Sequence, residues 1–249
     1  MAIYSKQPAI QVRGQHVSTI LDPVCLEDTY RLYLNGQLLV QLVASPGQLK
    51  ELGAGYIVCE GLARQVREVR VSTNDIRVSA ESQGATEFEL RSSGCIGVRG
   101  MPATVQSSCA FDAQDVFRAI AQIESQEWKD TGGVHCSVLL RNGEVVARAS
   151  DIGRHNTVDK VVGYAVLHGI ELSECMLGCT GRQPAGMISK IANAGIPLVV
   201  SKAASTDSGI LLAERSGVTL IGFARGDRFT VYAHPERIRG LPAQPSDQT

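Results

Sequence analysis

The sequence predicts an α/β protein, and two patterns carry that prediction. From about Thr131 onward, short continuous apolar runs alternate with segments of helical period, the order expected when strands and helices pack in layers. Before that point the chain reads mostly as strands of alternating apolar and polar residues, interrupted by helices. The division falls near Thr131. Residues 1–130 form a mixed α+β N-terminal region and residues 131–249 an α/β domain.

The elements follow in order. QVRGQHVSTILDP is strand-like, and TYRLYLNGQLLVQLVAS is two strands around Asn35-Gly36, a dipeptide that fits a tight hairpin turn. In SPGQLKELGAGYIVCEGL, Ser45 is placed to cap a helix and Pro46 to open it. Leu49, Leu52, Tyr56 and Ile57 recur at helical spacing, and Gly61 stops the run. VREVRVSTNDIRVSAES and ATEFELRSS alternate as half-buried strands do. The glycine-rich stretch from Gly94 to Met101 breaks the pattern and reads as a mobile loop. DAQDVFRAIAQIESQEW, Asp112 to Trp128, reads as one amphipathic helix with Val116, Ile120 and Ile123 on its apolar face.

In the second half, HCSVLLRNGEVVARAS is a hairpin around Asn142-Gly143, and VDKVVGYAVLHGI is a helix ending at Gly169. A buried strand ECMLGC, a helix PAGMISKIANAGI, a strand PLVVSK and a helix STDSGILLAERSG come next. The strands VTLIGFAR and RFTVYAH close the pattern.

Composition narrows the function. Hydrophobic residues make up 44 % and charged residues 20 %, which is ordinary for a folded protein. The net charge of -1, from 24 basic and 25 acidic side chains, argues against general nucleic-acid binding. No apolar run is long enough to cross a bilayer, and the N-terminus lacks a signal-peptide core, so a cytoplasmic location is expected. Seven scattered cysteines do not read as a disulfide framework, and most are expected in the core.

Four segments hold chemistry-bearing residues. SDIGRHNTVDK brings Asp151, Arg154, His155, Asn156, Asp159 and Lys160 into eleven residues between an apolar strand and an apolar helix. Capping of the helix by Asn156 or Thr157 explains only part of that set. Arg154 suits a phosphate or carboxylate, and His155 a proton transfer near neutral pH. In TGRQPAGM, Thr180, Gly181 and Arg182 precede a helix start, where free N–H groups favour an anion. In GFARGDRFTVY, the stretch Phe223, Ala224, Arg225, Gly226, Asp227 and Arg228 places two arginines on a tight turn. That turn is either a solvated hairpin or a diphosphate grip beside an aromatic ring. Cys95 stands among glycines near Arg91 and Arg99, a setting that lowers a thiol pKa and frees it to attack. His135 and Cys136 are adjacent on a strand and point to opposite faces, so they do not pair. Cys175 and Cys179 lack partners for a zinc site.

Together these segments resemble the FdhD family of formate dehydrogenase accessory sulfurtransferases (FdhD/NarQ type). The resemblance runs in order over LNGQLLVQLVASPGQLKELGAGYIVCEGL, TGGVH, DIGRHNTVDKVVG, TGR, KIANAGIPLVVSKAAST, LAERSGVTLIGFARGDRFTVY and HPERI, of which DIGRHNTVDK is the most specific. It implies a C-terminal domain similar to cytidine deaminase, three-layered α/β/α, in a homodimer. It also implies that Cys95 is the persulfide cysteine. A cysteine desulfurase loads it, and the sulfur passes to a molybdenum bis-molybdopterin guanine dinucleotide cofactor, or its tungsten analogue, destined for the formate dehydrogenase catalytic subunit. Phe223 to Arg228 then match the stretch that contacts the guanine nucleotide, while Thr180, Gly181, Arg182, Arg154, His155 and Asn156 extend that site. No resident metal is implied. Two departures stand out. Many members carry CxxC, whereas here Val98 occupies the second cysteine position, and Gly186 stands where an acidic residue is usual. The first departure keeps open a cofactor-binding chaperone that moves no sulfur. An unrelated hydrolase using Asp151 or His155 as base is a third reading.

Overall fold

The computed structural model describes residues 2–81 and 102–241, together with the backbone alone of two short strands at 88–91 and 95–98. The chain opens with a long antiparallel hairpin, β1 (Tyr4–Arg13) and β2 (His16–Cys25). Strands β3 (Asp28–Leu34) and β4 (Gln37–Ala44) follow, and Asn35 and Gly36 between them both take positive φ, 49° and 87°. That is the turn the Asn-Gly pair predicts. Helix α1 (Leu49–Cys59) leads to the hairpin β5 (Val66–Ser72) and β6 (Asp75–Ala80). These strands make one sheet in the order β4-β3-β6-β5, covered by α1 through Leu52 and Ile57.

Next come β7 (Phe88–Arg91) and β8 (Cys95–Val98), paired antiparallel with Arg91 opposite Cys95. The stretch expected as a loop from Gly94 to Met101 therefore contains a strand. β9 (Phe111–Asp112) precedes α2 (Ala113–Gln122) and α3 (Gln126–Thr131). The single helix expected from Asp112 to Trp128 is two, because the Ser125 side chain accepts from Trp128 N–H at 3.2 Å and starts a new helix there. Val116, Ile120 and Ile123 are buried as the period predicts.

The second half forms β10 (His135–Arg141), β11 (Glu144–Asp151), α4 (Arg154–Leu167), β12 (Met176–Cys179), α5 (Ala185–Asn193), β13 (Leu198–Ser201), α6 (Asp207–Ser216), β14 (Thr219–Arg225), β15 (Arg228–Ala233) and β16 (Ile238–Arg239). A six-stranded sheet runs β11-β10-β12-β13-β14-β15, with β12, β13 and β14 parallel. Its central strands β12 and β13 are buried at every position because both faces are covered. Val138, Leu140, Met176, Val200 and Ile221 turn toward α2. Leu139, Leu177, Val199 and Leu220 turn toward α4, α5 and α6. The α/β class read from the alternation is the observed one. Among the described residues no helix is long and apolar enough to cross a membrane.

Two glycines let α1 and α4 pack backbone against backbone. A Cβ on Gly55 of α1 would stand 1.7 Å from the Asp159 carbonyl oxygen, and one on Gly163 of α4 would stand 1.8 Å from that of Glu51. Only glycine allows the two helix backbones to meet this way. The crossing brings the end of α1 against the start of α4.

Two helix starts differ from expectation. α1 begins at Leu49 behind Gln48, which is left-handed (φ 51°) and makes no side-chain cap bond. Ser45 is instead buried and bonded to the other half of the chain. Its N–H donates to Asp151 Oδ2 at 3.1 Å, its Oγ accepts from Ile152 N–H at 3.2 Å, and its carbonyl accepts from Lys160 Nζ at 3.1 Å. α4 begins at Arg154 with Gly153 as its cap, so Asn156 and Thr157 lie inside the first turn.

Candidate functional site

Strands β12, β13 and β14 run parallel and end at one edge of the sheet. β10 is antiparallel to β12, so its first residue, His135, arrives at the same edge. Crevices beyond the carboxyl ends of such strands are where open α/β sheets bind ligands. Two cavities open there. One, of about 320 Å³, is lined by Glu124, Trp128, Thr180, Lys202 and Arg225. The other, of about 300 Å³, is lined by Tyr56, Arg154, His155, Asn156 and Lys190. His135 and Ile152 line both and form the wall between them. A larger hollow of about 540 Å³ lies at the C-terminal ends of α4 and α5, and none of the residues singled out from the sequence lines it.

The fold joins segments distant in sequence at this wall. Arg154 packs on Gly181, whose missing side chain makes room for it. His135 Nδ1 lies 3.0 Å from Thr180 Oγ1, which also accepts from Cys136 N–H at 3.1 Å. The Arg154 Nε is buried with no hydrogen-bond partner among the described residues. An orphaned guanidinium donor beside a cavity is costly unless an anion or water completes it. Arg182, one residue past Gly181, is exposed, and its charge still reaches His135.

Burial and neighbouring cations set the charge of both histidines. Burial, followed by Arg154 and Arg182, lowers the His135 pKa. His155 is pushed down to about 3 by burial, with Lys190, Arg154 and His135 adding to it. Both imidazoles are therefore neutral at pH 7. Lys190 sits behind His155, buried, with Nζ 2.7 Å from Glu60, 2.9 Å from Asp159 and 4.7 Å from the centre of the Tyr56 ring. Two carboxylates hold the ammonium charged, while burial raises Asp159 to about 6.

Asp151 is accounted for by structure. It is fully buried and accepts from Lys160 Nζ (2.6 Å), Ser45 N–H (3.1 Å), Gly153 N–H (2.8 Å) and Asn156 Nδ2 (2.9 Å). A carboxylate with four donors and no exposed face is not a base waiting for a substrate. This removes Asp151 from the hydrolase reading. Asn156 also holds Val43 O at 2.9 Å, so its amide joins β4 to the start of α4.

The stretch Phe223 to Arg228 splits in two ways. Arg225 lines the first cavity. Phe223 has φ 50° and is exposed, its N–H donating to Ala203 O at 3.1 Å. That bulge turns the next residue inward, and the Ala224 side chain lies in the core against α2, leaving only its backbone for a ligand. Gly226, Asp227 and Arg228 form the exposed turn after it. Phe229 packs on Phe117 with ring centres 5.2 Å apart.

Among the described cysteines, burial pushes Cys136, Cys175 and Cys179 up to about 11, and Cys59 well above its ordinary value. Those thiols are packing residues. The Cys95 side chain lies outside the described residues, and only its backbone position at the start of β8 is given.

Sequence reasoning missed His135, Glu124, Trp128 and Lys202 as site residues. The paired glycines in Thr131-Gly132-Gly133-Val134-His135 were a signal, since they free the strand start. Glu124 and Lys202 gave none, because they come from separate elements.

A model of the FdhD/NarQ family matches residues 25–239. The chain is 33 % identical to the sulfur carrier protein FdhD of Methanothermobacter thermautotrophicus, over 96 % of this chain and 100 % of that one. It is 32 % identical to the sulfur carrier protein FdhD of Bacillus subtilis, over 90 % and 93 %. The fold is similar to a crystal structure reported for a proposed formate dehydrogenase accessory protein from Desulfotalea psychrophila. The TM-score is 0.82 and the identity 27 %, covering 95 % of this chain and all of that one.

Proposed function

This chain belongs to the FdhD/NarQ family, and on that basis we propose that it carries sulfur during formate dehydrogenase maturation. The observation that carries the reading is the wall shared by the two cavities. Arg154, with its buried Nε unpaired among the described residues, packs on Gly181 there, beside neutral His135 and its partner Thr180, while Arg225 lines the cavity on the other side of His135. A guanidinium donor, a cationic rim and a crevice at strand ends suit the pyrophosphate of a guanine nucleotide. The substrate is then the molybdenum or tungsten bis-molybdopterin guanine dinucleotide cofactor, and the recipient of that cofactor is the formate dehydrogenase catalytic subunit.

The loading step uses Cys95. Its thiolate attacks the terminal sulfur of a persulfide on a cysteine desulfurase. A new S–S bond forms to Cys95, the donor's S–S bond breaks, and the donor cysteine leaves as a thiolate. One sulfur moves with no net oxidation. The raised pKa values of Cys59, Cys136, Cys175 and Cys179 support this choice, because a buried thiol is a poor nucleophile at neutral pH. The protein acts as a cytoplasmic homodimer in this reading.

Intact mass after incubation with a desulfurase and cysteine tests it. The expected result is a gain of one sulfur atom on the wild type and none on Cys95→Ala. An alanine variant that still gains sulfur removes Cys95 from the role. Val98 in place of a second cysteine favours one alternative, a chaperone that binds the nucleotide cofactor without moving sulfur. A wild type that binds GDP and never gains sulfur supports that alternative.

A further inference from the structure

We propose that the corner between α2 and α3 reads the base of the bound nucleotide, with the Glu124 carboxylate accepting the two N–H donors of a guanine edge and the Trp128 indole packing on its face. The inference rests on the nucleotide reading above and names the part of that site which selects guanine.

The corner is anchored on both sides of Glu124. Ile123 and Ser125 are buried on either side of Glu124. The Ser125 side chain accepts from Trp128 N–H, so Glu124 and Trp128 are held one turn apart on a pinned serine. Both line the 320 Å³ cavity. Trp128 is 40 % exposed, an uncommon position for the one tryptophan of the chain. Gly132 and Gly133 line the same cavity and add no side chain to it.

The charge pattern is mixed, which suits a ligand with both an anionic part and N–H donors. The cavity presents Lys202 and Arg225, as phosphate would require, yet Glu124 also faces it. A carboxylate repels phosphate but accepts from N–H donors. Lys202 ion-pairs with Oε1 of Glu124 and holds the group below the usual carboxylate range. Oε2 is left without a hydrogen bond among the described residues. Guanine presents N1–H and N2–H side by side and matches an ionised carboxylate. Adenine places a lone pair at N1 and is repelled. Hypoxanthine keeps N1–H and loses the second donor. The aromatic face of Trp128 stacks on any base and adds affinity without selecting.

Because Trp128 is the only tryptophan, its fluorescence reports on this cavity alone. The full-length protein is titrated with GDP, IDP and ADP, reading tryptophan emission and heat together. GDP is expected to change the emission and to bind at least about tenfold more tightly than ADP, with IDP between them. Glu124→Gln should remove most of that preference, and Trp128→Phe should weaken all three nucleotides together. GDP binding by heat with unchanged emission, or with equal GDP and ADP affinity in wild type and Glu124→Gln, overturns the inference and leaves the nucleotide reading intact. A protein that gains sulfur on Cys95 and binds none of the three overturns the inference and the nucleotide reading, not sulfur carriage.

Discussion

Arg154 lies against Gly181 so closely that a Cβ at position 181 would stand 2.8 Å from the Arg154 Cβ and 3.2 Å from its Cδ. The clash is with the root of the arginine side chain, at the first residue of α4, so it cannot be relieved by swinging the guanidinium alone. Gly181→Ala should therefore move Arg154 out of the wall between the cavities. The expected cost is about 1–3 kcal/mol of stability, as for other overpacked positions. GDP affinity should fall at least as far as in Arg154→Ala. A Gly181→Ala protein with wild-type GDP affinity, measured by calorimetry, would separate Arg154 from nucleotide binding.

Lys160 and Asp151 form an ion pair with both side chains buried, at 1 % and 0 % exposure. Removing one member leaves the other charge in the interior, typically at a cost of about 3–5 kcal/mol. Lys160→Met leaves Asp151 with its three N–H donors, so the loss should sit near the lower end. Urea unfolding at pH 7 measures it. A loss under about 1 kcal/mol would mean that the three remaining N–H donors suffice to hold the buried carboxylate. The pair also anchors Ser45, so the same variant should loosen β4 in hydrogen exchange.

His155 makes stability depend on pH. In the folded protein it stays neutral down to about 3, while its ordinary value is 6.5. Between those values the unfolded chain binds the extra proton. The contribution from His155 is complete above pH 6.5 and is lost as pH falls, by about 1.4 kcal/mol per unit. Asp159 acts in the opposite sense. Its folded value is raised from 3.8 to about 6, so its contribution fades as pH rises through that window. The two partly cancel, and only a comparison isolates His155. His155→Gln should lose less stability than the wild type between pH 7 and pH 5, read by urea unfolding at each pH. Equal losses would place the imidazole in water.

Much of this was legible in the sequence, element by element. Asn35-Gly36 gave its hairpin, and the alternation after Thr131 gave the α/β class. Val116, Ile120 and Ile123 gave the buried face of α2. Such features depend on neighbours in the chain. Helix starts were less legible. Ser45 has the chemistry of a cap, yet its partners are Asp151, Ile152 and Lys160, more than a hundred residues away. The corner at Ser125 was hidden because no glycine or proline marks it, and serine and glutamate occur inside helices as well as at their starts.

The sequence by itself determined the class of fold, the resemblance to FdhD proteins and the set of polar segments that gather at the site. The tertiary structure alone decided that Asp151 and Asn156 brace the fold, that Ala224 turns into the core, and that His135, Glu124 and Lys202 join Arg154 and Arg225 around one edge of the sheet. The reason is physical. A hairpin or a helix period is fixed by local dihedral preference and burial, whereas a cavity wall is assembled from the ends of strands and helices that stand far apart in the chain and meet only when the sheet forms.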